Sequence, residues 1–134
     1  MICLPRCKSL LRGVIVFFLL FNSIEALALA NPASTYCIEK GGKLVIQQRG
    51  DGGEYGICVF LDNRQCEEWA LFRGNCPVGG VKVTGYTSQA QIYCAIQGGR
   101  TIAVEPALEK TTPCVLPDGS QCMLTAFFDG HCQK

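Results

Sequence analysis

Ten cysteines in a chain of 134 residues are the side chains whose chemistry is easiest to read. Eight of them form two series, Cys37, Cys58, Cys66 and Cys76, then Cys94, Cys114, Cys122 and Cys132. Gaps of 21, 8 and 10 in the first series return as 20, 8 and 10 in the second. Thiols at such density either cross-link the chain or ligate a metal. Structural zinc sites use pairs two to four residues apart, and the tightest gap within either series is eight. Disulfides are therefore the expected chemistry, with no metal and no cofactor.

Other reactive types are sparse. His131 is the one histidine and lies in the last turn. No serine stands in a G-x-S-x-G setting, and the carboxylates show no readable pairing. Asp51 and Glu54 alone do not make a calcium loop. The chain reads as non-enzymatic. Trp69 and Phe72 could form a binding anchor, because exposed aromatics gather at interfaces. Their i,i+3 spacing favours a core role instead, since so small a unit needs its large apolar groups inside. Glu67 and Glu68 read most simply as first-turn charges.

The elements that would position these residues also repeat. Tyr36-Cys37 with Gly41-Gly42 returns as Tyr93-Cys94 with Gly98-Gly99. Gln65-Cys66, Phe72 and Gly74 return as Gln121-Cys122, Phe128 and Gly130. Asn31-Pro32 can cap and open a helix over 32–40, which Gly41-Gly42 stops. Leu44–Ile46 and Tyr55–Leu61 suggest two strands, joined by a mobile hairpin loop at Arg49–Gly53 that contains Arg-Gly-Asp. Cys66–Arg73 suggests a second helix. The fold class is α+β, a small disulfide-rich protein of two tandem helix–β-hairpin–helix repeats. Repeat one spans 31–76, a linker 77–87 (with a further strand available at 81–84), and repeat two 88–134. The second copy has lost the Asn-Pro start, the Trp and the acidic pair, which makes repeat one the better-formed unit.

Three connectivities are open within each repeat. Cys37–Cys58 with Cys66–Cys76 is favoured, and likewise Cys94–Cys114 with Cys122–Cys132. The first pair ties the opening helix to the second strand. For the other, a helix from 66 to 73 rises about 10 Å, and three extended residues return about as far.

Residues 1–30 read as an export signal: Arg6, Lys8 and Arg12, an apolar run from Gly13 to Phe21, and a small-residue cleavage site at Ala28-Leu29-Ala30. The run is about half of the ~20 residues a span needs, so no stable membrane span is expected after cleavage. Removing those three bases and Glu25 leaves nine basic against ten acidic residues. That balance excludes a nucleic-acid footprint. Units of about 46 residues rarely hold on a core alone, and bridges form in the periplasm or outside the cell.

The segment Asn-Pro-Ala-Ser-x-Tyr-Cys-x₃-Gly-Gly-x-Leu at 31–44, followed by Cys58, Asp62 and Cys-Glu-Glu-Trp-Ala-x-Phe-Arg-Gly-x-Cys at 66–76, resembles a bacterial family of small exported domains. It is domain-of-unknown-function family number 333, whose members often carry a hemolysin label. Residues 88–132 resemble it more loosely. The resemblance implies a periplasmic, secreted or lipid-anchored protein and transfers no catalytic residue. Some members carry only the counterparts of Cys37 and Cys58, which implies that these two pair. The expected function is a non-enzymatic binding or envelope-associated module whose partner is a protein or envelope component met through exposed loops at 49–54 and 104–113. The alternatives are an inhibitor of a secreted hydrolase and, from the family label, a membrane-active factor.

Overall fold

Asn31 starts the first element as its sequence suggests: its side chain accepts a hydrogen bond from the Ala33 N–H at 3.0 Å, and Pro32 needs no partner. In the computed structural model, which describes residues 30–132, helix α1 spans Pro32–Glu39. Strands β1 (Lys43–Gln48), β2 (Glu54–Val59) and β3 (Gln65–Glu67) form an antiparallel sheet in that order, and helix α2 covers Glu68–Phe72. Helix α3 (Gln89–Ile96) opens the second half, where strands β4 (Pro113–Val115) and β5 (Gln121–Met123) form a two-stranded sheet before helix α4 (Leu124–Phe128). The protein is thus a small α+β molecule. Apart from Ala30, the expected export segment lies outside the described residues, as do Gln133 and Lys134. Among the described residues no helix is long and apolar enough to cross a membrane.

Four disulfides join Cys37 to Cys58, Cys66 to Cys76, Cys94 to Cys114 and Cys122 to Cys132, with Cα separations of 5.6 to 6.2 Å. These are the favoured pairs, and four bridges are consistent with an extracytoplasmic protein. In the ladders Cys58 stands opposite Cys66, and Cys114 opposite Cys122. The two Gly-Gly pairs now have separate reasons. Gly41 and Gly98 take φ of +83° and +82°, the left-handed turn that ends α1 and α3. At Gly42 and Gly99 a Cβ would collide with the sulfurs of Cys37–Cys58 and Cys94–Cys114. One glycine turns the chain; the next makes room for the bridge.

Several expectations need correction. The second helix does not begin at Cys66, because Gln65–Glu67 pairs with β2 as β3 and the helix starts at Glu68. The tight closure argued for Cys66–Cys76 therefore runs from a strand, and the return is made by Gly74 at φ +79°. Among the described residues of the second half no counterpart of β1 forms; Arg100 makes an isolated bridge to Val115. The stretch at 81–84 likewise forms only isolated bridges, Gln65 with Val81 and Thr84 with Tyr86. Yet Val83 is buried, so 77–87 is packed rather than free.

The two halves share a core. Strand β2 is buried along Tyr55–Cys58 on both faces. Cys58 turns toward Cys37, Leu44, Ala70 and Leu71 in the first half. Tyr55 and Ile57 instead pack with Tyr93, Ile96, Leu124 and Phe127 of the second. Period-two alternation places these sets on opposite faces.

Candidate functional site

Where the halves meet they leave a cleft of about 430 Å³, within the range of small-ligand sites. Its floor is aromatic. The Tyr93 ring lies 5.0 Å from Tyr55, 5.0 Å from Phe127 and 5.6 Å from Phe128, in edge or tilted contacts. Helix α3 supplies Tyr93 one residue before Cys94, so the bridge to Cys114 helps to fix it. Burial is the main cause that pushes the Tyr93 phenol above its ordinary pKa; the nearby Arg49 cation and a hydrogen bond with Gln97 pull the other way. Tyr55 is raised too, first by burial and then by Tyr93.

Glu67 is 6% exposed at the edge of this floor. It caps α2, accepting the Ala70 N–H at 2.8 Å. Burial raises its carboxyl above the usual range, against opposition from the Trp69 and Ala70 N–H groups. Glu68 is equally buried. It accepts from Asn31 Nδ2 at 3.1 Å and from the Ser34 hydroxyl, and a Cβ on Gly56 would strike its carboxylate. The acids do sit at the start of α2, Glu67 as its cap and Glu68 in its first turn, but both are buried there, with α1 and β2 closing over Glu68.

Trp69 and Phe72 also depart from the expected core role. Ala70 and Leu71 face inward, Trp69 is half-buried at the cleft, and Phe72 is 44% exposed. A five-residue helix has one inward face, and the small residue and Leu71 occupy it. Phe72 stands edge-on to both Tyr36 and Trp69, and the Arg73 guanidinium lies 5.4 Å from the Trp69 ring.

The Arg49–Gly53 loop is held rather than mobile. Asp51 accepts from Arg49 Nε at 3.1 Å, Arg49 Nη2 at 3.0 Å and the Gly53 N–H at 2.9 Å. Gly53 first, and then Arg49, hold its carboxyl below the ordinary value. The Gly50 N–H donates to the Phe128 carbonyl, which pins the loop to the second half. The Arg-Gly-Asp charges thus face each other, and Arg49 borders the cleft. Residues 104–113 are tied down as well. The fully buried Gln91 donates to the Val104 carbonyl at 2.7 Å and to Glu109 at 2.9 Å.

The cleft can desolvate and orient a ligand through aromatic surface, amides and both signs of charge. Its cysteine, Cys132, is bonded to Cys122. His131 lies exposed in the last turn. Among the described residues no group of three or more His, Cys, Asp and Glu could hold a metal ion. Sequence reasoning missed Glu67 and Tyr93 as site residues, while Arg49 lies in the 49–54 loop expected to meet a partner. One signal was available for the acids: Glu68 occupies the place that Leu124, fully buried, takes in the second series.

No solved structure matches the chain. Over 53 residues it is 40% identical to the Uncharacterized protein YoaF of Escherichia coli strain K12, and to those of Escherichia coli O6:H1 strain CFT073 and Shigella flexneri. The alignment takes in 40% of this chain and 62% of each relative, so less than two thirds of their length is spanned. Cys76 onward lies outside the family match, which runs over residues 28–75, from before α1 to past α2, and is to the family described as Domain of unknown function (DUF333).

Proposed function

We propose that the protein is an exported, non-enzymatic binding module made of two tandem copies of one disulfide-stapled unit, with the cleft between them as its receiving surface. Matching bridge positions and matching cysteine registers in the two halves support the tandem reading. The observation that carries the binding reading is the cleft itself. Buried Glu67 and the Tyr93 phenol meet there beside a rim of Trp69, Arg73 and Asp118, on walls cross-linked from both sides. Such walls lose little freedom when a ligand enters, which favours affinity. The loops at 49–54 and 104–113 act as supports, with Arg49 and Glu54 contributing to the rim.

The test is retention of components from a cell-envelope extract on the immobilised oxidised protein. Trp69→Ala and Arg73→Ala alter the rim; Ile46→Ala changes an exposed position in β1 away from it. The two rim variants are expected to lose a specific component at least tenfold, equivalent to about 1.4 kcal/mol, while Ile46→Ala keeps it. Equal retention by all three variants removes the cleft from the binding reading.

A further inference from the structure

Glu68 is a buried carboxylate that makes no ion pair among the described residues. Among the described residues the one ion pair is Arg49 with Asp51, and Glu68 is held by two neutral donors, Asn31 Nδ2 and the Ser34 hydroxyl. The ionisable groups on the elements packed around it are Glu67 beside it, Glu54 and Tyr55 on β2, and Tyr36 and Glu39 on α1. None is basic. Lys40 and Arg73 stand at the far ends of α1 and α2, and Arg49, which lines the same cleft as Glu68, is paired with Asp51. A buried carboxylate ordinarily has a countercharge.

The residue that grips Glu68 is also the first after Ala28-Leu29-Ala30, the small-residue cleavage pattern. Ala30 and Asn31 are exposed, and α1 begins at Pro32. We infer that hydrolysis of the Ala30–Asn31 bond creates an α-ammonium at Asn31 that serves as the missing counter-ion of Glu68. Water adds across the peptide bond; Ala30 departs as a carboxylate, and the Asn31 nitrogen takes up protons to become –NH₃⁺. The co-reactant is an export-type peptidase selective for small residues.

Two physical points support the pairing. The backbone nitrogen of Asn31 lies four bonds from Nδ2, so within about 5 Å of an atom already bonded to the carboxylate. Moreover, a new positive charge at the start of α1 would oppose the helix dipole. Glu68 is placed to offset that repulsion in a partly dry setting, where charges interact more strongly than in water. Maturation then completes the site: the cut makes a cation beside a carboxylate that has no ion pair among the described residues.

Mass spectrometry of the exported protein is expected to find Asn31 as the first residue; any other start overturns the inference. In protein beginning at Asn31, NMR titration should place the α-amino group above its ordinary range of about 7.7–8.0. Since the folded value is raised, the stabilisation is complete below about pH 8 and lost as pH rises through the raised value. At pH 6.5 the free-amine form should have a folded-to-unfolded ratio about tenfold above the Nα-acetylated form, the equivalent of about one pKa unit. Glu68→Gln should abolish that difference, as a double-mutant cycle requires. If Glu68→Gln does not fold, the titration of the unsubstituted protein decides, and an ordinary α-amino value refutes the pairing.

Discussion

Cross-links placed in small loops set a quantitative expectation for this chain. Cys37–Cys58 and Cys94–Cys114 close loops with separations of 21 and 20, while Cys66–Cys76 and Cys122–Cys132 each close one of 10. In the chain-entropy description, a long-loop bridge contributes about 3.3 kcal/mol and a short-loop bridge about 2.7 kcal/mol. The loops do not overlap, so the four together amount to about 12 kcal/mol, as large as the whole stability of an ordinary domain, about 5–15 kcal/mol. Replacing Cys37 and Cys58 together by Ala should therefore leave a folded but weakened protein. Replacing Cys94 and Cys114 should cost nearly the same, because the loops differ by one residue. Reducing all four bridges should unfold the chain without denaturant. The assay is urea unfolding of the oxidised, paired-variant and reduced forms, followed by near-UV circular dichroism. A reduced protein that still unfolds cooperatively, with a midpoint near that of the oxidised form, would falsify the claim that the bridges hold the fold.

Further expectations concern single residues. Glu67→Gln keeps an acceptor for the Ala70 N–H and removes a charge that burial disfavours. Because the folded carboxyl is raised, its relative stabilisation is present below about pH 4.5 and lost as pH rises through the raised value. Thermal melts from pH 4 to 8 should show the variant gaining on the unsubstituted protein toward neutral pH; a gain independent of pH counts against the assignment. Gly56→Ala would drive a methyl group into the Glu68 carboxylate and should cost about 1–3 kcal/mol in urea unfolding; a neutral result there means that Glu68 is free to move aside. Leu124→Ala, at a fully buried position, should cost about 2–5 kcal/mol. Leu61→Ala, 88% exposed, should stay within about 0.5 kcal/mol, and similar costs for the two would contradict the placement of the core.

Local features were legible because local chemistry decides them. Asn31-Pro32 and Ser88 cap their helices, the Gly-Gly pairs end them, and equal spacing points to equal bridges. Long-range packing was not legible. Tyr55–Cys58 looks like an ordinary strand until the second half covers its other face. The Arg49–Gly53 loop has a mobile composition, yet one bond to the Phe128 carbonyl and the internal Arg49–Asp51 pair fix it. Glu67 and Glu68 carry the charge pattern of a helix start, and only tertiary contacts reveal that they are enclosed. Trp69 and Phe72 were misplaced for a related reason. The helix is one turn shorter than its pattern suggests, so β3 takes its first two residues and the inward face moves to Ala70 and Leu71.

Strand β2 has a consequence for dissection of the molecule. A fragment ending at residue 76 would keep its two bridges yet leave the Tyr55 and Ile57 side of the sheet bare. Greasy, flat and edged by open backbone, that side would seek another surface, and a twin of the same fragment is the nearest one to hand. Truncation should thus yield pairs or precipitate instead of a tidy monomer.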